Sequence, residues 1–127
     1  MTERAAAERM VSDLHMARQA GDLAGMCRLF ADHGRFEIAG ASADKPIAIR
    51  AETLTEFRPW LAMMTKVFRL TDYRLISLVV EGPHVSAHWR VNIFSKVTGV
   101  TVPTELVDLL ELRDGRIQTY SEFFVPR

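Results

Sequence analysis

Glu122, Asp108 and Arg90 are two carboxylates and a guanidinium on successive β-type runs, a spacing that lets them meet on one sheet. In a dry pocket, burial raises a carboxylate's pKa and a nearby guanidinium lowers it. Two carboxylates sharing one arginine can therefore separate into an acid and a base. His88 would add a donor or shuttle a proton, and Asn92 would position substrate or water. The same set also describes an inert ion-pair network, because structural pairs perturb pKa values too.

The carboxylates stand out because of their neighbours. Asp114-Gly115 separates two β-type runs, a strong hairpin signal. Side chains on a strand alternate between faces, so Leu106, Asp108, Leu110 and Leu112 share one face of the first run. Tyr120, Glu122 and Phe124 share one face of the second. A carboxylate among leucines and aromatics is costly to bury unless it is paired or used.

The rest of the chain must position these groups. Residues 3–19 read as a helix with Thr2 as cap and an apolar stripe of Met10, Val11, Leu14 and Ala17, ended by Ala20-Gly21. His15 is expected at the edge of that stripe. Asp22 is a suitable N-cap for a second helix running through Phe30. A short strand from Arg35 to Ala39, a polar loop from Gly40 to Pro46 and a short extended piece at 47–51 follow. A third helix is expected from about Thr53 to Val67, with Pro59 tolerated if the helix begins near Thr55 or later. Phe57, Trp60, Met63 and Met64 would then point inward, as core or as the wall of a cavity.

Strands are expected at Val67–Leu70, Tyr73–Val80 and Val85–Phe94, with turns at Glu81-Gly82-Pro83-His84 and Thr98-Gly99. Helices first and a meander afterwards indicate an α+β domain with helices on one face of an antiparallel-rich sheet. In Val85–Phe94, Val85, Ala87, Trp89, Val91 and Ile93 share one face, and His88, Arg90, Asn92 and Phe94 the other. Periodicity makes the apolar face core and the polar face wet. The alternative covers both, with helices over a polar-lined cavity and a partner subunit over the apolar face.

Composition narrows the function classes. The 127 residues suit one domain, 1–127, with a proper core. Sixteen basic and sixteen acidic residues balance to a net charge of +0, so no electrostatic grip on nucleic acid or anionic lipid is expected. No apolar run approaches a membrane span. One cysteine, Cys27, permits no internal disulfide and suits a reducing cytoplasm; it reads as a small core residue. The first ten residues carry two glutamates and no apolar core, so a signal peptide is not expected. His84 and His88 would stand roughly 13 Å apart on a strand, too far to share a metal. His33 follows a helix end, where it caps or meets solvent. The glycines form no phosphate-binding signature and no Ser-His-Asp grouping has motif context. No metal and no cofactor is expected.

The chain resembles the nuclear-transport-factor-2-like superfamily, in its SnoaL-like and ketosteroid-isomerase-like branch. The resemblance is carried by Ala20-Gly21-Asp22-Leu23 through Leu29-Phe30-Ala31-Asp32, by Val80-Glu81-Gly82 with the alternating strand behind it, and by Asp114-Gly115-Arg116-Ile117 with Glu122-Phe123-Phe124. It implies a cone-shaped α+β barrel, a deep pocket between helices and sheet, and a homodimer through the sheet. It also implies that the polar face of Val85–Phe94 points into the pocket.

Roles carry over unevenly. Ketosteroid isomerases use a tyrosine where this chain has Leu14 and a proton-moving aspartate where it has Ile38; only the oxyanion acid is kept, as Asp108. Ketosteroid isomerase chemistry of the usual kind is therefore not expected. Limonene-epoxide-hydrolase-like members use an arginine matched by Arg90 and two aspartates matched by Glu122 and Asn92, the second of which has lost its charge. SnoaL-like cyclases use an acid on the late strands, for which Glu122 or Asp108 would serve. The resulting expectation is a pocket protein for a small apolar or aromatic oxygenated molecule, acting by cofactor-free acid–base chemistry. Glu122, Arg90, Asp108, His88 and Asn92 would form the reacting set. Leu14, Ile38, Trp60, Met63, Phe94, Leu110, Tyr120 and Phe124 would line the pocket. A non-catalytic binding or dimerisation module is the alternative.

Overall fold

A computed structural model describes residues 3–42 and 45–126. Helix α1 (Glu3–Ala20) and a single-turn α2 (Leu23–Cys27) precede β1 (Phe30–Ser42) and β2 (Lys45–Thr53). Helix α3 (Leu54–Val67) leads into four long strands, β3 (Phe68–Glu81), β4 (His84–Ser95), β5 (Thr101–Arg113) and β6 (Arg116–Pro126). They form one sheet in the order β2-β1-β6-β5-β4-β3. Only β1 and β6 run parallel; the other neighbours are antiparallel. The sheet is open, and α3 touches both of its edge strands, β2 and β3, as well as β1. The α+β architecture expected from the sequence is present.

Local chemistry explains most boundaries. Asp22 caps α2 by accepting from the Gly25 amide at 2.9 Å. That helix ends at Cys27, short of the expected Phe30, because Phe30 pairs with Ile117 in the parallel ladder and is completely buried. Tertiary pairing here overrides a helical stripe. Thr53 caps α3 through the Glu56 amide, so the helix starts at Leu54 and Pro59 falls beyond its first turn. The proline removes the bond that residue 59 would otherwise give the carbonyl of Thr55. The β5–β6 turn places Asp114 at φ 52° and Gly115 at φ 75°, as a two-residue hairpin requires.

Other expectations change. The strand placed at Arg35–Ala39 runs from Phe30 to Ser42, and the loop placed at Gly40–Pro46 is strand at 40–42 and 45–46, with Ala43 and Asp44 outside the described residues. The Thr2 cap also lies outside them. The two strands expected at Val67–Leu70 and Tyr73–Val80 are one strand, β3, broken in register between Thr71 and Arg74. On α3 the buried positions are Phe57, Leu61 and Met64, whereas Trp60 is 40% exposed.

The core lies between the helices and the inner face of the sheet. Phe30, Phe36, Phe57 and Tyr120 form an aromatic cluster with centroids 5.3–6.3 Å apart. Burying each such ring stabilises the fold by roughly 1.5–3 kcal/mol. Trp89, Val91 and Leu106 are likewise buried on the inner face. Among the described residues no helix is long and apolar enough to cross a membrane.

Candidate active site

The buried side of α1 comprises Ala7, Met10, Val11, Leu14, His15 and Arg18. Arg18 lies one turn beyond Leu14, so the stripe that packs the helix on the sheet ends in a guanidinium. His15 lies beside Leu14 on the same buried side. The pair meets Asp108 and Glu122, which are directly opposed on β5 and β6 and share the inner face.

Two linked clusters result. In the first, Arg18 Nη1 donates to Glu122 Oε2 at 2.5 Å and Nη2 to Oε1 at 3.2 Å, a forked ion pair. Tyr120 O–H donates to the same Oε2 at 2.6 Å. In the second, His15 Nε2 lies 2.8 Å from Asp108 Oδ2, and the Trp89 indole N–H donates to that oxygen at 3.1 Å. His15 Nδ1 lies 2.7 Å from the Tyr73 hydroxyl. The indole packs between the clusters, 4.3 Å from the His15 ring and 5.3 Å from the Arg18 guanidinium carbon, centroid to centroid and carbon to centroid respectively.

The electrostatics follow from burial. Burial works against the Arg18 cation, but the Glu122 carboxylate, through its charge and its hydrogen bond, outweighs it and raises the pKa, so Arg18 stays charged. Burial, reinforced by Asp108 and Glu122, pushes the Tyr120 phenol well up, which keeps it a donor. Burial also raises Asp108; the Glu122 charge adds to this, while His15 and Arg18 pull the other way. Burial, with help from Asp108, raises Tyr73 as well.

A cavity of about 420 Å³ opens beside the first cluster. Ile38, Met63, Met64, Ile93, Leu106 and Phe124 supply much of its wall, and among the described residues Arg18 and Glu122 are its charged lining groups. Such a site can seat an apolar molecule and present its polar atom to a carboxylate and a guanidinium. Glu122 has the chemistry to give or take a proton there, and Arg18 to hold an oxygen.

The structure separates the residues singled out from sequence. Glu122, Ile38, Met63 and Phe124 line the cavity, and Tyr120 holds Glu122 from behind. Asp108, Leu110 and Leu14 are sealed in the core and are not on the cavity wall. Trp60 is off the wall. His88, Arg90, Asn92 and Phe94 lie on the opposite face of the sheet, which corrects the orientation that the family resemblance implied for β4. The cause is its register: Ala87 opposes Asp108 and Trp89 opposes Leu106, so the apolar face of β4 shares the interior with the carboxylates. Arg90 instead donates to Glu105 at 2.6 Å, His88 lies 3.4 Å from the same carboxylate, and Asn92 donates to Asp72. Arg18, Tyr73 and Trp89 belong to the site although the sequence does not single them out, and His15, expected at the edge of the stripe, is fully buried in it. The usable signal was a histidine and an arginine at positions 15 and 18, in register with an otherwise apolar helix face. Among the described residues no group of three or more His, Cys, Asp or Glu side chains could hold a metal ion.

Several solved structures share the fold. A Bacillus subtilis protein proposed to be an isomerase superposes with a TM-score of 0.86 at 19% identity, over 98% of this chain and 90% of that one. An M. tuberculosis epoxide hydrolase of the limonene-epoxide-hydrolase-like kind gives 0.75 at 18% identity, over 95% and 84%. A SnoaL-like polyketide-cyclase-type protein from Mesorhizobium loti gives 0.73 at 17% identity, over 97% and 99%. No curated protein matches the chain. The model of the SnoaL-like domain matches residues 8–120, and with this fold around it the chain belongs to the SnoaL-like family.

Proposed function

We propose that this protein is an enzyme that binds a small, apolar, oxygenated molecule and acts on it by cofactor-free acid–base chemistry, as an isomerase, cyclase, dehydratase or hydrolase. The observation that carries this reading is the forked Arg18–Glu122 pair set into a largely apolar cavity. Glu122 moves the proton and Arg18, in the place first given to Arg90, binds the oxygen. The low-identity neighbours described as isomerase, epoxide hydrolase and cyclase support the same range of reactions. The single cysteine suits a cytoplasmic setting.

The test is a thermal-shift screen with steroids, terpenoid epoxides, aromatic ketones and fatty acids, followed by turnover assays of the hits with wild type and Glu122→Gln. Stabilisation of the wild type and loss of turnover in the variant are expected. Full activity in Glu122→Gln would remove Glu122 from the reaction.

A second reading, a non-catalytic binding or dimerisation module, is favoured by the engagement of Glu122, both of whose oxygens already accept from Arg18 or Tyr120. In either reading we place the homodimer contact on the outer face of the sheet, where Val107, Leu109 and Phe123 are about two-fifths exposed. Trp89 and Val91 face the interior and cannot serve as that contact.

A further inference from the structure

We infer that Tyr73, His15 and Asp108 form a proton relay from β3 to the carboxylate neighbouring Glu122, with His15 as the positioning residue that sets the charge on Asp108. Its functional meaning rests on the reading of Glu122 as the reacting carboxylate; the relay itself is testable without a ligand.

The first support is continuity. Both imidazole nitrogens are engaged, Nδ1 by the Tyr73 hydroxyl at 2.7 Å and Nε2 by Asp108 Oδ2 at 2.8 Å. A phenol and a carboxylic acid can each donate or accept, so the imidazole between them can exchange one tautomer for the other. The step balances. The Asp108 proton passes from Oδ2 to Nε2, the Nδ1 proton passes to the Tyr73 oxygen, and the Tyr73 proton leaves to water. Asp108 becomes a carboxylate, and His15 and Tyr73 end neutral.

The second support is an orphan. Among the described residues, Asp108 Oδ1 is the buried side-chain polar atom without a hydrogen-bond partner. Both hydrogen-bond partners of this carboxyl, His15 and Trp89, converge on Oδ2. An anion would leave half its charge on a dry, unpartnered oxygen, the costly arrangement. A neutral acid with its hydroxyl on Oδ2 donating to Nε2 leaves only an under-used carbonyl at Oδ1, which proteins tolerate better.

The third support is how Tyr73 comes to face inward. It stands in the register break between Thr71 and Arg74, beside Asp72 at φ 56°. Asp72 is held by Asn92, which donates to it at 2.8 Å from the neighbouring strand. A bulge of this kind re-aims one side chain, and here it delivers the phenol to His15. Tyr73 is only partly buried, whereas His15 and Asp108 are sealed.

The titratable and charged groups around Asp108 are His15 and Arg18 from α1, Tyr73 from β3, and Tyr120 and Glu122 from β6; β4 contributes the Trp89 indole, which does not titrate. Arg18 is committed to Glu122. A proton arriving on Glu122 therefore removes the repulsion that keeps Asp108 protonated, and Asp108 can release its own proton through His15. The total charge beside the cavity stays constant and no water has to enter the apolar space.

Ring-nitrogen NMR of His15 across about pH 5–9 tests this in the free protein. The wild type is expected to switch from the Nδ1–H to the Nε2–H tautomer as Asp108 ionises. In Glu122→Gln, which lacks the repelling charge, the switch moves to lower pH by about one unit. In Tyr73→Phe the exchange of the ring proton with water slows severalfold. A single unchanging tautomer in the wild type, or unaltered exchange in Tyr73→Phe, would overturn the relay, even if Glu122→Gln did not fold. An intact relay in a protein with no turnover would instead count against the proposed function alone.

Discussion

Asp108 and Glu122 oppose each other directly on β5 and β6, yet each is held by a different residue of α1. Glu122 takes the permanent charge of Arg18, and Asp108 takes the imidazole of His15. Two like groups on one buried face are thereby made unlike, one paired with a guanidinium and the other pressed by burial toward the neutral acid.

The Arg18–Glu122 pair is expected to be strongly coupled. Arg18→Met strands a buried carboxylate and Glu122→Leu strands a buried guanidinium, each at a cost of about 3–5 kcal/mol. The double variant strands neither, and its stability is expected to return to within roughly 1–2 kcal/mol of wild type. Urea unfolding of the four proteins checks this; additive losses would show that the pair is not closed in solution.

The raised pKa of Asp108 fixes a direction for stability against pH. Below the ordinary carboxylate range of about 4, folded and unfolded states are both protonated and the contribution is fully present. As pH rises through the raised folded value, the native state gives up a proton that the unfolded chain has already lost, and the contribution disappears. Stability should fall over that window with a slope of at most about 1.4 kcal/mol per pH unit. Asp108→Asn should flatten this part of the profile; an unchanged slope in denaturant melts would remove Asp108 as its source.

Val102 lies on the cavity wall but is 36% exposed, away from the sealed core. Val102→Trp is expected to fill space rather than open it, leaving the unfolding midpoint within a few degrees of wild type. Any ligand that stabilises the wild type in a thermal-shift assay should lose most of its effect. Undiminished shifts would place the ligand elsewhere.

Leu109 and Phe123 stand on the outer face at 42% and 41% exposure, with Val107 directly opposite Phe123 in the register. Leu109→Glu should convert a dimer to a monomer in sedimentation experiments while changing stability by less than about 0.5 kcal/mol. A wild type that is already monomeric at micromolar concentration would remove this contact.

Much of the architecture was legible because it is written in local chemistry. Asp114-Gly115 announces its hairpin, Asp22 and Thr53 their helices, and the alternation of β5 and β6 puts Asp108 and Glu122 on one face without any knowledge of the fold. The plain periodicity of β4 was also right, burying Val85, Ala87, Trp89 and Val91. The resemblance misled by turning that strand over and drawing Arg90 into the site. Arg18 escaped notice because a charge near a helix end ordinarily reads as solvated, and its partner lies 104 positions away. Tyr73 escaped because it faces inward only through the break around Asp72, and a bulge leaves no mark in an alternating pattern.

The place of β6 bears on how the molecule is made. Of the elements described, it is synthesised last, yet it sits between β1 and β5 and joins two otherwise separate ribbons, β2-β1 and β5-β4-β3. An emerging chain can assemble each ribbon from near neighbours, but it cannot unite them until the final strand slides into the gap. Tyr120 and Glu122 arrive on that strand, so a nascent protein holds Arg18 and an open, sticky seam before it holds its carboxylate. Completion of the sheet and arrival of the partner of Arg18 are one event, and a chain halted before it would meet quality control as an unfinished fold.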